Sequence, residues 1–298
     1  MTVLGEIIDH REVDWSRVKR SSCKVHQTFR YTYPGPIHDL RQRLVVVPPD
    51  LHGGQRLLRH WVEVSEPLVE ARWEHDRFGN RVCHLHVPHV AATVTFEVLI
   101  SVERDLTPLP VITDPLHCAA FSRASDLTRP NAALRAAAHS LQASGAQGLE
   151  LVEAINAWVY GQMRYTADVT GVKTTAQEAL VLGKGVCQDY AHIMLALCRL
   201  CGIPARYVSG HLLGEGGTHA WVEAVLPDPG QPGQFLAHGF DPTHNRRPGH
   251  TYITIAVGRD YRDVAPTSGT FHAPYGGHLT TYKHAALVEL EHDDGAAA

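Results

Sequence analysis

Cys187, His219 and Asp241 follow one another in the second half of a 298-residue chain, and each stands in local sequence suited to chemistry. Cys187 lies in GKGVCQDYAHIMLALCRLCGI, from Gly183 to Ile203. Glycines 183 and 185 mark a loop, and Ile193, Leu195, Ala196, Leu197 and Leu200 then recur at helical spacing, so the cysteine falls where loop becomes helix. A thiol at a helix N-terminus feels the positive end of the helix dipole, which favours the thiolate. His219 opens the strand-like run HAWVE, and Asp241 sits in FDPT. Two neighbouring antiparallel strands can hold a histidine and an aspartate side by side in front of such a helix. The imidazole would take the thiol proton and later give one to a leaving amine, while the carboxylate fixes its tautomer. The backbone N–H of Cys187 is a natural oxyanion donor, because first-turn amides lack intrahelical partners.

Other reactive residues have plainer readings. Asp189, on the first helical turn, serves the free amides there, and its charge would oppose a thiolate. His192 and His211 read as supporting or surface residues. Cys198 and Cys201 lie near the end of the apolar helix with no second pair nearby, so they read as core rather than as a zinc or redox pair. Trp221 and Glu223 share a strand face with His219; Trp221 is a candidate substrate contact that would shield the Cys-His pair from water. Tyr165 is a second candidate contact, to substrate or oxyanion. Cys83, His84, His86 and His89 are the best metal candidate among 21 histidines, with His84 and His86 on one strand face, but exposed side chains are the commoner meaning of such a pattern, and neither metal nor cofactor is expected.

The elements that position these residues change character along the chain. KVHQTFRYTY, LRQRLVVVPP, RLLRHWVEVS, VEARWEHD, RVCHLHVP and ATVTFEVLISVE are short strand-like runs separated by turns, the pattern of a β-sandwich. Leu58, His60, Val62 and Val64 would share one face, and Arg77–Asn80 reads as a hairpin turn. Prolines 108, 110 and 115 mark a boundary. NAALRAAAHSLQ and LELVEAINAWVYGQMRY are helical, and TTAQEALVLG is a short helix with Glu178 at capping-box distance from Thr175. After Pro204, ARYVSGHLL, HAWVEAVLP, FLAHGFDP, YITIAVG and LVELE read as strands. The expected architecture is α+β: an antiparallel β-sandwich over 1–115, then helices packed on an antiparallel sheet over 116–298.

The formal net charge of −4 offers no basic field for nucleic acid. The N-terminal residues carry charges throughout and no run approaches a membrane span, so the cytoplasm is the expected location, with no membrane partner. The six cysteines lack a disulfide-framework spacing and read as mostly free thiols.

Beyond type and spacing, GKGVCQDYAHIMLALCRLCGIPARYVSGHL, HAWVE and GFDPT closely resemble the motifs of the transglutaminase-like superfamily, in its bacterial, cysteine-protease-like branch. AVGRDYRDVAP at 256–266 is similar to a stretch which that branch carries after its aspartate. YTYPGPIHDLRQRLVVVPP and DRFGNRV resemble the β-rich region that accompanies these domains. The resemblance covers about residues 25–275. It implies a papain-like core and a thioester formed on Cys187 from an amide, with His219 as base and Asp241 as orienter. It also implies a peptide or protein amide substrate, hydrolysed or passed to an amine. Hydrolysis is the first expectation, glutamine–lysine crosslinking the second, and a non-catalytic binding module the third. The chain departs from the branch at His211, where an aromatic is usual, and at Ala237, where a Trp is usual.

Overall fold

The computed structural model of the protein describes residues 7–292. Its first half is a run of antiparallel strands: β1 (Val18–Thr32), β2 (Ile37–Leu44), β3 (Leu51–His52), β4 (Gln55–Val64), β5 (Glu70–His75), β6 (Arg81–Val90) and β7 (Thr93–Asp105). Alternation accounts for them. In β7, Val94, Phe96, Val98, Ile100 and Val102 are buried while their neighbours are not, as a half-covered strand requires. The expected β5–β6 hairpin is present: Asp76 accepts the amides of Phe78 and Asn80 at 2.8 and 3.0 Å, and Gly79 supplies a φ of +82°. β4 departs from the expected face. A bulge between Leu57 and Arg59 shifts its phase, so Leu57 packs inward with Val62 and Val64, while Leu58 and His60 turn to solvent.

The middle of the chain supplies β8 (Val111–Ile112), α1 (Pro115–Ser122), α2 (Ala132–Ala143), α3 (Gly148–Gln162), β9 (Arg164–Tyr165), α4 (Ala176–Leu182), β10 (Lys184–Gly185) and α5 (Cys187–Leu200). Asn131 caps α2 by accepting the amide of Leu134 at 3.0 Å. Thr175 and Glu178 form the expected capping box on α4, with the Glu178 carboxylate accepting the Thr175 amide at 2.8 Å. Helix α5 is the centre of the fold: every residue from Gln188 to Arg199 is buried.

The chain ends with β11 (Ala205–Leu212), β12 (His219–Pro227), β13 (Phe235–Phe240), β14 (Tyr252–Gly258), α6 (Tyr261–Val264), β15 (Thr267–His272) and β16 (His278–His292). β14-β11-β12-β13-β8 form one sheet. Alternate residues of β12 serve its two faces. Ala220, Val222 and Ala224 join α5 in the main core, whereas Trp221 packs with Val208, Leu212, Tyr252 and Val257, against Phe78 of the β5–β6 hairpin.

These sheets divide the chain differently from the boundary expected at 115. β8 lies before it yet pairs with β13, Ile112 opposite Phe235. β15 and β16 lie after it yet complete the sandwich, whose sheets run β16-β1-β7-β4-β3 and β15-β2-β6-β5. Topologically, residues 111–264 are inserted between strands of the sandwich. The physical reason is a shared core, since one hydrophobic cluster contains Phe29, Val98, Leu195 and Leu287 together.

The sandwich also covers the outer edge of β14. The Gln55 amide bonds the carbonyl and N–H of Thr254 at 2.7 and 2.8 Å, and the Asn80 amide does the same for Val257 at 2.7 and 2.8 Å. Two side-chain amides thus stand in for a neighbouring strand. Behind α5, Arg199 donates to the carbonyls of Phe121, Ala205 and Arg259 and to the Thr128 hydroxyl at 2.6–3.0 Å, joining segments distant in sequence. Arg199→Ala leaves these buried acceptors without a donor. It should lower stability by about 3 kcal/mol or more, read from the midpoint of urea unfolding.

Candidate active site

Local chemistry places Cys187 as the first residue of α5, as its loop-to-helix context predicts. Its thiol is half-buried. Asp189 fixes the entry: one carboxylate oxygen accepts the amide of Val186 at 2.8 Å and the hydroxyl of Thr170 at 2.6 Å. Burial pushes the Asp189 carboxyl up. This is the structural role expected of Asp189, extended to a second segment, because Thr170 belongs to the loop between β9 and α4. Gly185 makes it possible, since a Cβ there would collide with the Asp189 carboxylate. Gly185 pairs in parallel with Tyr165, which carries the β9 tyrosine to the same place.

His219 begins β12 and Asp241 follows β13, so adjacent antiparallel strands deliver them together. The His219 Nε2 donates to Asp241 Oδ2 at 2.8 Å, with His219 2% and Asp241 0% exposed. The same oxygen accepts from His244 Nδ1 at 2.8 Å and from the Tyr252 hydroxyl at 2.6 Å, while Asp241 Oδ1 accepts the Thr243 amide at 2.9 Å. Burial alone would raise the Asp241 carboxyl, but its donors hold it well below the usual carboxylate range. Burial alone would lower His219, but hydrogen bonds to Asp241, Cys187 and Glu215 raise it well above the ordinary imidazole value. With Nε2 committed to Asp241, Nδ1 is the nitrogen that faces the thiol and Glu215. Glu215, on the loop before β12, stands 3.3 Å from Nδ1 and 3.6 Å from His244 Nε2. Gly210 lies opposite His219 in β11, where a Cβ would strike the Ile253 carbonyl and the Trp221 ring.

The structure therefore brings Cys187, His219 and Asp241 together. Tyr165 joins them: it is 58% exposed, and burial, then the charges of Cys187 and Glu215, raise its phenol. Trp221 does not offer a substrate surface, being 1% exposed; its ring lies 6.2 Å from that of His219, nearly parallel, and serves as packing behind the imidazole. His192 and His211 are not surface residues: they are 0% and 1% exposed, and burial holds them at about 3 and about 4. Cys198 is core, with burial pushing its thiol up to about 12, and all six cysteines are free thiols. His84 pairs with Glu74, His86 with Asp39, and His89 lies against the His38 ring, so these three histidines have separate partners. Among the described residues, the grouping of donor atoms compact enough for a metal is instead His219, Asp241 and His244, whose mutual hydrogen bonds already occupy the facing atoms.

Glu215, His244 and Tyr252 are not singled out by sequence. Tyr252 opens a strand and His244 is one histidine of 21, so only the fold reveals that both serve Asp241. A cleft of about 760 Å³ opens beside them, bordered by Glu215, His244, Arg246, His10 and His284.

Comparison with known proteins agrees with this architecture. Residues 135–235 match the transglutaminase-like superfamily core, and residues 23–103 match the bacterial transglutaminase-like N-terminal region. An uncharacterized protein of Mycobacterium leprae (strain TN) is 32% identical over 204 residues, covering 63% of this chain and 70% of that protein. An uncharacterized protein of Mycobacterium bovis (strain ATCC BAA-935 / AF2122/97) is 29% identical over 243 residues, covering 72% and 76%. A solved structure from Cytophaga hutchinsonii, named as a candidate cysteine protease, superposes with a TM-score of 0.74 at 24% identity, covering 91% of this chain and 92% of that one, which shows the shared fold. The chain belongs to the transglutaminase-like superfamily.

Asp241→Asn removes the negative charge that favours imidazolium. The His219 pKa should fall, so that the ring becomes neutral in a pH range where the native ring keeps its proton. An NMR titration of His219 reads this directly; an unchanged titration would show that Asp241 does not control the ring.

Proposed function

We propose that the protein is a cysteine-nucleophile acyl-transfer enzyme acting on amides, with hydrolysis of a peptide, isopeptide or side-chain amide as its reaction. The observation that carries this reading is the buried His219–Asp241 pair, whose second imidazole nitrogen is shared between the Glu215 carboxylate and the thiol at the start of α5. In this reading the Cys187 thiolate adds to the amide carbonyl, and the Cys187 N–H, free of an intrahelical partner, faces the oxyanion. The C–N bond then breaks, the departing amine takes its proton from His219, and a thioester remains on Cys187. Water, deprotonated by His219, releases the acid. Asp241 holds the ring with Nε2–H inward throughout and stabilises its charged form. Tyr165, exposed beside the thiol, would contact the substrate.

Transfer to an amine is the second reading. Glu215 favours it, since a carboxylate 3.3 Å from the working imidazole nitrogen would attract an ammonium group towards the thioester. The cytoplasm is the proposed location, supported by the free thiols. Among the described residues no helix is long and apolar enough to cross a membrane.

Intact-mass trapping with a peptide library tests the proposal. An acyl adduct should appear on the native protein and vanish in Cys187→Ala. Added amine should leave the hydrolytic product dominant; its diversion into an amide product would favour crosslinking. Peptide binding without any adduct, unchanged in Cys187→Ala, would show a binding module instead.

A further inference from the structure

Every amide has an acyl half and an amine half, and it is the amine half that must reach His219. The departing nitrogen takes its proton from Nδ1, since Nε2 is bonded to Asp241. One Glu215 oxygen stands 3.3 Å from Nδ1, and the other stands 3.6 Å from His244 Nε2. Glu215 and His244 both border the cleft of about 760 Å³, so what is attached to the departing nitrogen lies on that side.

Most charges at this cleft already have partners. Asp9 is bound by the Arg11 guanidinium at 2.6 and 2.9 Å, Glu215 faces His219, and Asp241 is completely buried. Arg246 is different. Its Nε donates to the Tyr252 hydroxyl at 2.7 Å, and its Cζ lies 5.3 Å from the Tyr252 ring centroid. Tyr252 in turn donates to Asp241 at 2.6 Å, and the backbone bridge between Asp241 and Arg246 holds the same turn. The network that orients His219 therefore also fixes this guanidinium. Among the described residues its terminal nitrogens have no hydrogen-bond partner, and no carboxylate pairs with it. A surface arginine ordinarily loses rotamer freedom when it binds a ligand, and Tyr252 has already removed part of that cost. A fixed guanidinium fork matches a carboxylate, which it holds by two parallel N–H···O bonds. The opposite wall is also held in place. The Ile8 amide donates to the Leu287 carbonyl at 2.9 Å, and a Cβ on Gly214 would come within 2.8 Å of His10 Nε2.

We propose that this cleft is the amine-side subsite and that Arg246 selects there an amine half bearing a carboxylate, an amino acid or short peptide. This rests on Cys187 being the acyl-transfer nucleophile. Glu215 meets the amine nitrogen, and Arg246 meets the carboxylate. The same subsite serves the reverse step. When an amine attacks the thioester, a C–N bond forms and the C–S bond breaks to give the thiolate. The proton lost by the nitrogen goes to His219 Nδ1.

The test acylates the full chain with p-nitrophenyl acetate and offers it an equimolar mixture of glycylglycine and glycylglycinamide. These amines differ in that the second carries an amide in place of the carboxylate. Mass spectrometry counts the acetylated product of each, so their ratio does not depend on the share that water takes. The native protein should favour glycylglycine about tenfold. Arg246→Met should bring the ratio near one, and Arg246→Lys should keep part of the preference. The α-amide of glycylaspartic acid separates the two sources of a carboxylate. Capture equal to that of glycylglycine admits a side-chain acid; capture equal to that of glycylglycinamide restricts the subsite to a chain terminus. A native ratio near one overturns the proposal without any variant. So does an Arg246→Met protein that slows both amines equally and keeps the native ratio, because the residue is then only structural. If no acetyl group appears on Cys187, with Cys187→Ala as the control, the acyl-transfer reading falls as well; an acetylated Cys187 with a ratio near one refutes only the subsite.

Discussion

A carboxylate with no solvent exposure holds the site together. Asp241 is completely buried, and an ion in that position is tolerable only when its lone pairs are filled. His219, His244, Tyr252 and the Thr243 amide fill them. Each donor comes with its own constraint. β12 must bring His219 beside the end of β13, and β14 must start at Tyr252. The turn after Asp241 must fold back, which it does by a two-way backbone bridge to Arg246. The register of three strands is therefore fixed at one oxygen pair, and the imidazole that results has a single orientation.

The nucleophile is held by a different kind of restraint. Asp189 ties the first turn of α5 to the loop bearing Thr170, so the thiol and the neighbouring loop move as one piece. The sandwich supports the opposite face of the same sheet. Glu223, two residues beyond Trp221 on the face of His219, binds Arg206 at 2.7 Å and His52 of β3 at 2.8 Å, all of them largely buried. These partners keep the Glu223 carboxyl below its ordinary value against the pull of burial. A β-rich accompaniment to the helical core is thus part of the rigid frame in which the imidazole sits, and Gln55 and Asn80 seal the joint.

Local signals made much of this legible. The loop-to-helix join at Cys187, the capping box at Thr175 and Glu178, and the strand HAWVE depend on residues close in sequence, and each formed as expected. The superfamily motifs supplied the pairing of His219 with Asp241. What escaped depends on long-range placement. The bulge that turns Leu58 outward leaves no mark on an alternating run. The partners of Asp241 are ordinary polar residues until the fold collects them. The burial of His192 and His211 follows from the packing of α5 against β11, which no local pattern announces. The pairing of β8, β15 and β16 across residue 115 has the same origin: proline spacing marks a change of local structure, but strand exchange between distant segments decides which sheet a residue joins.

That exchange bears on how the chain acquires its shape. β1 lies between β7 and β16, with Val25 opposite Ile100 on one side and Ala285 on the other. During synthesis β7 follows β1 closely, but β16 emerges only after the whole helical core has been made. Until then one edge of β1 has no strand beside it, and the sandwich can be no more than partly closed. Contacts of such long sequence separation make for slow closure. The core around α5 follows the same timetable, because Ala285 and Leu287 arrive with the strand that closes the sheet. A nascent chain would thus hold its cysteine helix before it holds the last wall of the core in which that helix packs.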